Sequence, residues 1–262
     1  MREQQAHPLF RSFNDRLAGR VLEHGLGGVD SPSAGPLRLL EFGCGEGLLG
    51  AALCRVAAER DVAVSYTGSD LSPAAIDLAR EFVDGDFVDG DATEVASSLP
   101  SASQDLVVVK NLLHHLDDPA AFLREVARVT RPEGRVVIVE ARRGCIPFFL
   151  VTFIFFNRRE RHFFRGRGRN LVEPVAAARL VVHHAERFSW FPFELAFAIR
   201  VNWFRRLFAT SNGRTLRRVR EADDRLATLM PWSTCYEIWT TGPAGPSGRT
   251  PNADASQPAP TT

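Results

Sequence analysis

Leu39-Leu40-Glu41-Phe42-Gly43-Cys44-Gly45-Glu46-Gly47, the stretch LLEFGCGEG, is a short apolar run that carries one acid and ends on three glycines at alternate positions. It reads as a buried β-strand emptying into a glycine turn. Without a Cβ at Gly43, Gly45 and Gly47, the backbone can turn sharply and let a ligand lie directly against its N–H groups. The helix expected next, Leu48 to Arg60, points its positive end at the same place. A dinucleotide fingerprint, G-x-G-x-x-G, also joins a strand to a helix. Here, however, the third glycine comes two residues after the second, and Leu48 stands where the fingerprint needs glycine. Glu41, two residues before the first glycine, would repel a pyrophosphate but can accept hydrogen bonds from an ammonium or from the loop amides. Together these features favour a ligand with a cationic amino-acid end.

The remainder of the chain bounds this reading. Its 262 residues, 45% hydrophobic, can bury one full core with appended elements. A formal net charge of +1 supplies no global attraction to nucleic acid, so any basic surface must be local. Cys44, Cys54, Cys145 and Cys235 are scattered without a C-x-x-C pair, which argues against a zinc site and against a disulfide framework; no metal is expected. The N-terminus MREQQAHPLF lacks an apolar core of signal-peptide length, so a cytoplasmic location is the expectation.

Taken in order, residues 1–36 hold a helix from Pro8 to His24, with Leu9, Phe13, Leu17 and Val21 at helical spacing, and then a Gly/Ser/Pro-rich linker. From Leu37 the chain alternates strands and helices with short connections, the pattern of a parallel sheet covered on both faces. Strand 1 is Leu37 to Phe42, and strand 2, about Val62 to Ser69, ends on Asp70. Ser72 and Pro73 then form a cap-and-proline helix start. Strand 3 lies near Phe87 and Val88 and closes with Gly90-Asp91-Ala92. Strand 4, Asp105 to Lys110, leads into Asn111-Leu112-Leu113-His114-His115. A helix from Pro119 to Thr130 stops before Pro132 and Gly134, strand 5 is Arg135 to Ala141, and Ser233 to Thr241 reads as a last strand.

An acid-and-glycine turn, then Asp70, Asp91 and the segment DLVVVKNLLHHLDDP, each at a strand end and in this order, resemble the class I S-adenosylmethionine-dependent methyltransferases. The run LREVARVTRPEGRVVIVE resembles the type 11-like small-molecule members that include the quinone-biosynthesis enzymes, although Glu133 departs from their usual glycine before Gly134. The resemblance spans residues 37–141 and weakly 170–183. It implies a Rossmann-like methyltransferase fold: a mostly parallel seven-stranded sheet with helices on both faces, an antiparallel last strand, and a helical, aromatic-rich substrate cap.

It also implies S-adenosylmethionine as cofactor, held by Glu41, Gly43, Cys44, Gly45, Gly47, Asp70, Leu71, Asp91, Ala92 and Asn111. Asp70 would grip both ribose hydroxyls; the competing reading is a helix cap, for which Ser72 is better placed. Asp91 would accept the adenine amine and Ala92 would offer its N–H to a ring nitrogen; taken alone Asp91 is a weak signal, because Asp84, Asp86 and Asp89 lie close by and most such acids are solvated loop residues. His114 would line the acceptor pocket and act as base if the acceptor needs one, with His115, Phe148, Phe149 and Trp190 as further pocket residues. The other reading of the pair is that one histidine packs or caps and the other faces solvent. Methyltransferases of exocyclic base amines carry a Pro-Pro-aromatic turn after strand 4, and cytosine C5 enzymes a Pro-Cys; Asn111-Leu112-Leu113-His114 is neither, so nucleic acid is not the expected acceptor.

Residues 145–169 and 188–230 exceed the minimal fold and hold 13 of the 19 phenylalanines. They read as cap insertions around an apolar acceptor, a secondary metabolite or a quinone-like or lipid-like compound. The run from Ile146 to Phe156 is too short to span a bilayer. With the arginines that follow it, residues 146–169 have three readings: a packed cap, a surface for peripheral contact with an anionic membrane, or arginines holding an acidic group of the acceptor. A different class of function also fits the fold, a protein that binds S-adenosylmethionine without transferring methyl and serves as a cyclase or binding partner. Residues 243–262 are rich in Pro, Gly, Ser and Ala and read as a disordered tail. Deleting the chain after Gly242 is expected to leave acceptor-dependent turnover intact, measured against the full chain under the same conditions.

Overall fold

A computed structural model describes residues 7–27, 35–142, 171–191 and 212–244. Within them the order is α1 (Pro8–Leu26), β1 (Leu37–Phe42), α2 (Leu48–Ala58), β2 (Val64–Asp70), α3 (Pro73–Ala79), β3 (Asp86–Asp89), α4 (Ala92–Ser98) and β4 (Gln104–Lys110). There follow α5 (Pro119–Val129), β5 (Thr130–Ala141), α6 (Val172–Ala177), β6 (Leu180–Phe188), α7 (Gly213–Leu229) and β7 (Tyr236–Pro243). The strands form one seven-stranded sheet in the order β3-β2-β1-β4-β5-β7-β6. β1 to β5 pair in parallel, while β7 runs antiparallel between β5 and β6. This is the expected Rossmann-like architecture. Its strand order reverses between β1 and β4, which opens a crevice at their carboxyl ends.

Central strands are apolar on both faces because both faces are covered. Leu37 and Leu39 of β1 and Val137 and Val139 of β5 pack with Leu17 and Val21 of α1 and Leu49 and Leu53 of α2. Leu40, Phe42, Val107, Val109 and Ile138 face the other way, onto Phe122, Leu123 and Val126 of α5 and Val175 of α6. Helix starts follow the capping residues. The Ser72 side chain accepts from Ala75 N–H with Pro73 opening α3, and Asp118 accepts from Ala121 N–H with Pro119 opening α5.

Some boundaries differ from the sequence expectation. β5 begins at Thr130, so Pro132 to Gly134 lie within it, beside a register shift between Gln104 and Leu106. There a Cβ on Gly134 would come within 2.8 Å of the Asp105 carbonyl, so the strands can approach only with glycine at this position. β6 continues to Phe188, and β7 runs from Tyr236 to Pro243, after a short 3₁₀ turn that includes Ser233. Cys44 and Cys54 are free thiols, but Cys235 is disulfide-bonded, which corrects the expectation from cysteine scatter: spacing along the chain does not report which residues the fold brings together. The cap insertions, Phe148 and Phe149 among them, lie largely outside the described residues, as does the tail from residue 245. No helix among the described residues is long and apolar enough to cross a membrane.

Asp223 of α7 fastens the end of β6 to the rest of the molecule. Its carboxylate is fully buried and accepts from Trp190 N–H and Phe191 N–H at 2.8 Å each, from the Ser189 hydroxyl, and from Arg16 Nη1 of α1 at 2.8 Å. Removing it leaves two amides and a hydroxyl without their acceptor in a buried place and takes from Arg16 one of its two carboxylates, the other being Asp224. Asp223→Ala should therefore cost about 3–5 kcal/mol of unfolding free energy, read from urea denaturation as a lowered midpoint.

Candidate functional site

Five strand ends meet at the crevice. After β1 the backbone turns through Gly43, Gly45 and Gly47 at φ 72°, 53° and 76°, the left-handed region that glycine enters without strain. The turn is tied to β2: Gly43 N–H and Cys44 N–H both donate to the Ser69 carbonyl, and Gly45 N–H donates to Asp70 Oδ2 at 2.8 Å. The other oxygen of Asp70 accepts from Ser72 N–H at 2.9 Å. Asp70 thus holds the glycine turn and the start of α3 in one carboxylate, and Ser72 is the α3 cap, as the sequence suggested. The Asp70 carbonyl accepts from Gly90 N–H, which brings the β3 turn alongside.

Asp91 caps α4, its Oδ1 accepting from Thr93 and Glu94 N–H, and is exposed; Ala92 is the first residue of that helix. Leu71 is 74% exposed beside Asp70, an apolar side chain at the rim of a polar crevice. A Cβ on Gly43 would lie 3.4 Å from the Lys110 carbonyl, so the β1 and β4 turns abut. Asn111 sits in the left-handed region at φ 50°, its N–H donating to the Val139 carbonyl of β5. A Cβ on Gly45 would meet nothing within 4 Å, so space lies in front of the turn. The N–H groups of Gly43, Cys44, Gly45 and Gly47 are spent within the fold, which differs from the expectation that they face a ligand; the carboxylate at the β2 end, the exposed apolar side chain and the space before the turn fit a nucleoside.

Glu41 supports the turn from below. It is 1% exposed, and Oε2 accepts from Tyr66 Oη at 2.7 Å. Gly50 of α2 lies against the same hydroxyl, since a Cβ there would be 2.4 Å from Tyr66 Oη. Burial and the Glu41 carboxylate hold the Tyr66 phenol well above its ordinary pKa, so it stays a donor. The Cys44 side chain is buried; burial first, then Glu41 and Asp70, pushes its thiol up, and Cys54 is pushed up to about 11 for the same leading reason. Cys44 thus enters the site through its backbone.

His114 lies in a short 3₁₀ turn after β4, its side chain 6% exposed. Its Nδ1 is 2.8 Å from Glu140 Oε2, while Glu140 Oε1 accepts from Leu113 N–H at 2.7 Å. Glu140, near the end of β5, is the residue that sequence reasoning missed. The signal was the acid that closes the apolar run VVIVE. In the tautomer that carries Nδ1–H, the carboxylate accepts its hydrogen bond and Nε2 is the basic nitrogen. His115 is exposed, with its ring 4.0 Å from that of His114. Glu237 of β7 stands opposite Glu140 in the ladder; burial raises its pKa against the pull of Arg142. Trp190 follows β6 on the same carboxyl edge, its ring edge-on to Phe191.

Residues 40–138 match the family model for a methyltransferase domain. A ubiquinone biosynthesis O-methyltransferase of Aeromonas salmonicida (strain A449) is 33% identical over 112 residues, 41% of this chain and 44% of that protein. One of Rhodopseudomonas palustris (strain BisB18) is 27% identical over 144 residues, 55% of this chain and 54% of its own. The chain therefore spans about half the length of the curated relatives it matches. Among solved structures, the [4+2]-cyclase SpnF superposes with a TM-score of 0.55 at 22% identity, covering 88% of this chain and 81% of its own. A SAM-dependent methyltransferase from Archaeoglobus fulgidus gives 0.52 at 16%, covering 87% and 93%. At these identities the structures establish the fold. By the sequence match and the architecture together, residues 40–138 form a class I S-adenosylmethionine-dependent methyltransferase domain of the type 11 kind.

Proposed function

We propose that the chain transfers a methyl group from S-adenosylmethionine to a hydroxyl of a hydrophobic small molecule, with His114 as general base and Glu140 as the residue that positions it. The observation that carries this reading is the 2.8 Å contact between His114 Nδ1 and Glu140 Oε2 at the carboxyl edge of the sheet. The O-methyltransferase names of the curated relatives support an oxygen acceptor of quinone-like character. The phenylalanine-rich make-up of residues 145–169 and 188–230 supports an apolar one, although Phe188 itself packs in the core.

Gly43, Gly45 and Gly47, Cys44 through its backbone, Asp70, Leu71, Asp91, Ala92 and Asn111 would hold the cofactor, with Glu41 bracing the turn through Tyr66. When bound, the cofactor supplies a methyl group already activated on a sulfonium. The chain then has to align the acceptor and exclude water. A hydroxyl is a weak nucleophile until its proton begins to leave, and a base within reach lowers that barrier. With Nδ1–H directed at Glu140, the imidazole presents its Nε2 lone pair for that proton, and the carboxylate stabilises the charge that develops on the ring. His115 and Trp190 would belong to the acceptor side; Phe148 and Phe149, expected there from sequence, lie outside the described residues. Contact of residues 146–169 with an anionic membrane surface would bring a lipid-like acceptor to this edge.

The test is formation of S-adenosylhomocysteine with and without hydrophobic phenols and catechols. The expected result is acceptor-dependent product. His114→Ala should lower kcat by about 10²–10⁴-fold, and Glu140→Gln by about 10–100-fold with a displaced pH profile, while both bind the cofactor as the parent does. Full turnover by His114→Ala would remove the base. Cofactor binding with no acceptor-dependent product across the series would favour the non-methylating cyclase or binding partner.

A further inference from the structure

Away from the crevice, on the α1 face of the sheet edge, three ligating side chains converge. His24 lies in the last turn of α1, and His184 and Glu186 lie two residues apart on β6. The two imidazoles stack with centroids 4.0 Å apart and planes at 20°. Glu186 divides its carboxylate between them, Oε1 3.4 Å from His24 Nε2 and Oε2 3.9 Å from His184 Nε2. One ligand atom from each side chain lies within 4.8 Å of the other two.

The local structure assembles this group in a definite way. The β6–β7 ladder shifts register between Val182 and His184, and beyond the shift His184, Glu186 and Phe188 pair with Thr240, Ile238 and Tyr236. Phe188, Ile238 and Tyr236 pack in the α1-side core, so the strand period of two puts His184 and Glu186 on the face that α1 covers. His24 Nε2 and Glu186 Oε1 are enclosed atoms without a hydrogen-bond partner among the described residues. His24 Nε2 and Glu186 Oε1 thus face each other at 3.4 Å without the geometry of a hydrogen bond, and two enclosed polar atoms left so cost free energy unless something accepts their lone pairs. An ion bound at about 2.0–2.2 Å from each atom would do so once the three side chains close around it. Glu186 also lines a cleft of about 450 Å³ with Glu23, Asp224 and five arginines, Arg16, Arg20, Arg60, Arg187 and Arg220.

We propose that His24, His184 and Glu186 form a binding site for a divalent transition metal of the zinc class, which fastens α1 to the edge strand β6. Two imidazoles with one carboxylate select zinc, cobalt or nickel over magnesium or calcium, which prefer all-oxygen sites. The site is independent of methyl transfer. The scattered cysteines gave no hint of it, because its ligands are two histidines 160 positions apart and a glutamate.

The test uses the full chain, stripped of metal with a chelator and dialysed. Titration with Co²⁺, followed by its visible absorption, and with Zn²⁺, followed by calorimetry, should show one saturable equivalent, and Zn²⁺ should raise Tm. His24→Ala, His184→Ala and Glu186→Gln should each weaken binding by about tenfold or more and abolish the Tm increase, whereas His183→Ala should retain both. Absence of saturable binding by the parent chain, or binding unchanged in all three variants, overturns the proposal. Each variant is checked for native circular dichroism. Should one fail to fold, the other two decide.

Discussion

The carboxyl edge of this molecule depends on the tie between the turn after β1 and the end of β2. Gly45 N–H to Asp70 Oδ2, with Gly43 and Cys44 N–H on the Ser69 carbonyl, holds three successive positive-φ glycines in one shape. A turn without Cβ atoms has little rigidity of its own, because glycine loses more conformational freedom on folding than any other residue. The rigidity comes from the neighbouring strand and from the Glu41–Tyr66 bond beneath, which Gly50 makes room for. Around that fixed turn the β3 and β4 turns are placed by backbone contacts, Gly90 to the Asp70 carbonyl and Asn111 to the Val139 carbonyl.

The same edge holds a second fixed group with different chemistry. Glu140 binds the Leu113 amide and the His114 ring together, so one carboxylate sets both the backbone turn and the tautomer of the histidine. Its placement is a product of topology. β4 and β5 are parallel neighbours, so residues at their carboxyl ends come side by side although they are 26 positions apart. Further along the edge, Asp223 performs a comparable service where the chain leaves β6, gathering two amides, a hydroxyl and a guanidinium on one buried carboxylate. Acids, buried and fully engaged, are the recurring means by which this fold turns flexible strand ends into defined positions.

What the sequence alone determined is the layered α/β architecture, the glycine turn and the acids at strand ends. Each rests on a local rule: apolar runs for doubly covered strands, glycine for positive φ, and Ser-Pro and Asp-Pro for helix starts. Tertiary structure decided what those side chains do. Asp70 braces the turn as well as facing the crevice, Asp91 caps α4, and Glu41 turns into the core toward Tyr66. The Glu140–His114 pair, the His24–His184–Glu186 cluster and the disulfide at Cys235 were also invisible until the chain folded. The physical reason is common to all of them. Periodicity and capping act over a few residues, whereas hydrogen-bond partners and ligand sets are chosen by strand order and helix packing, which join residues tens to hundreds of positions apart.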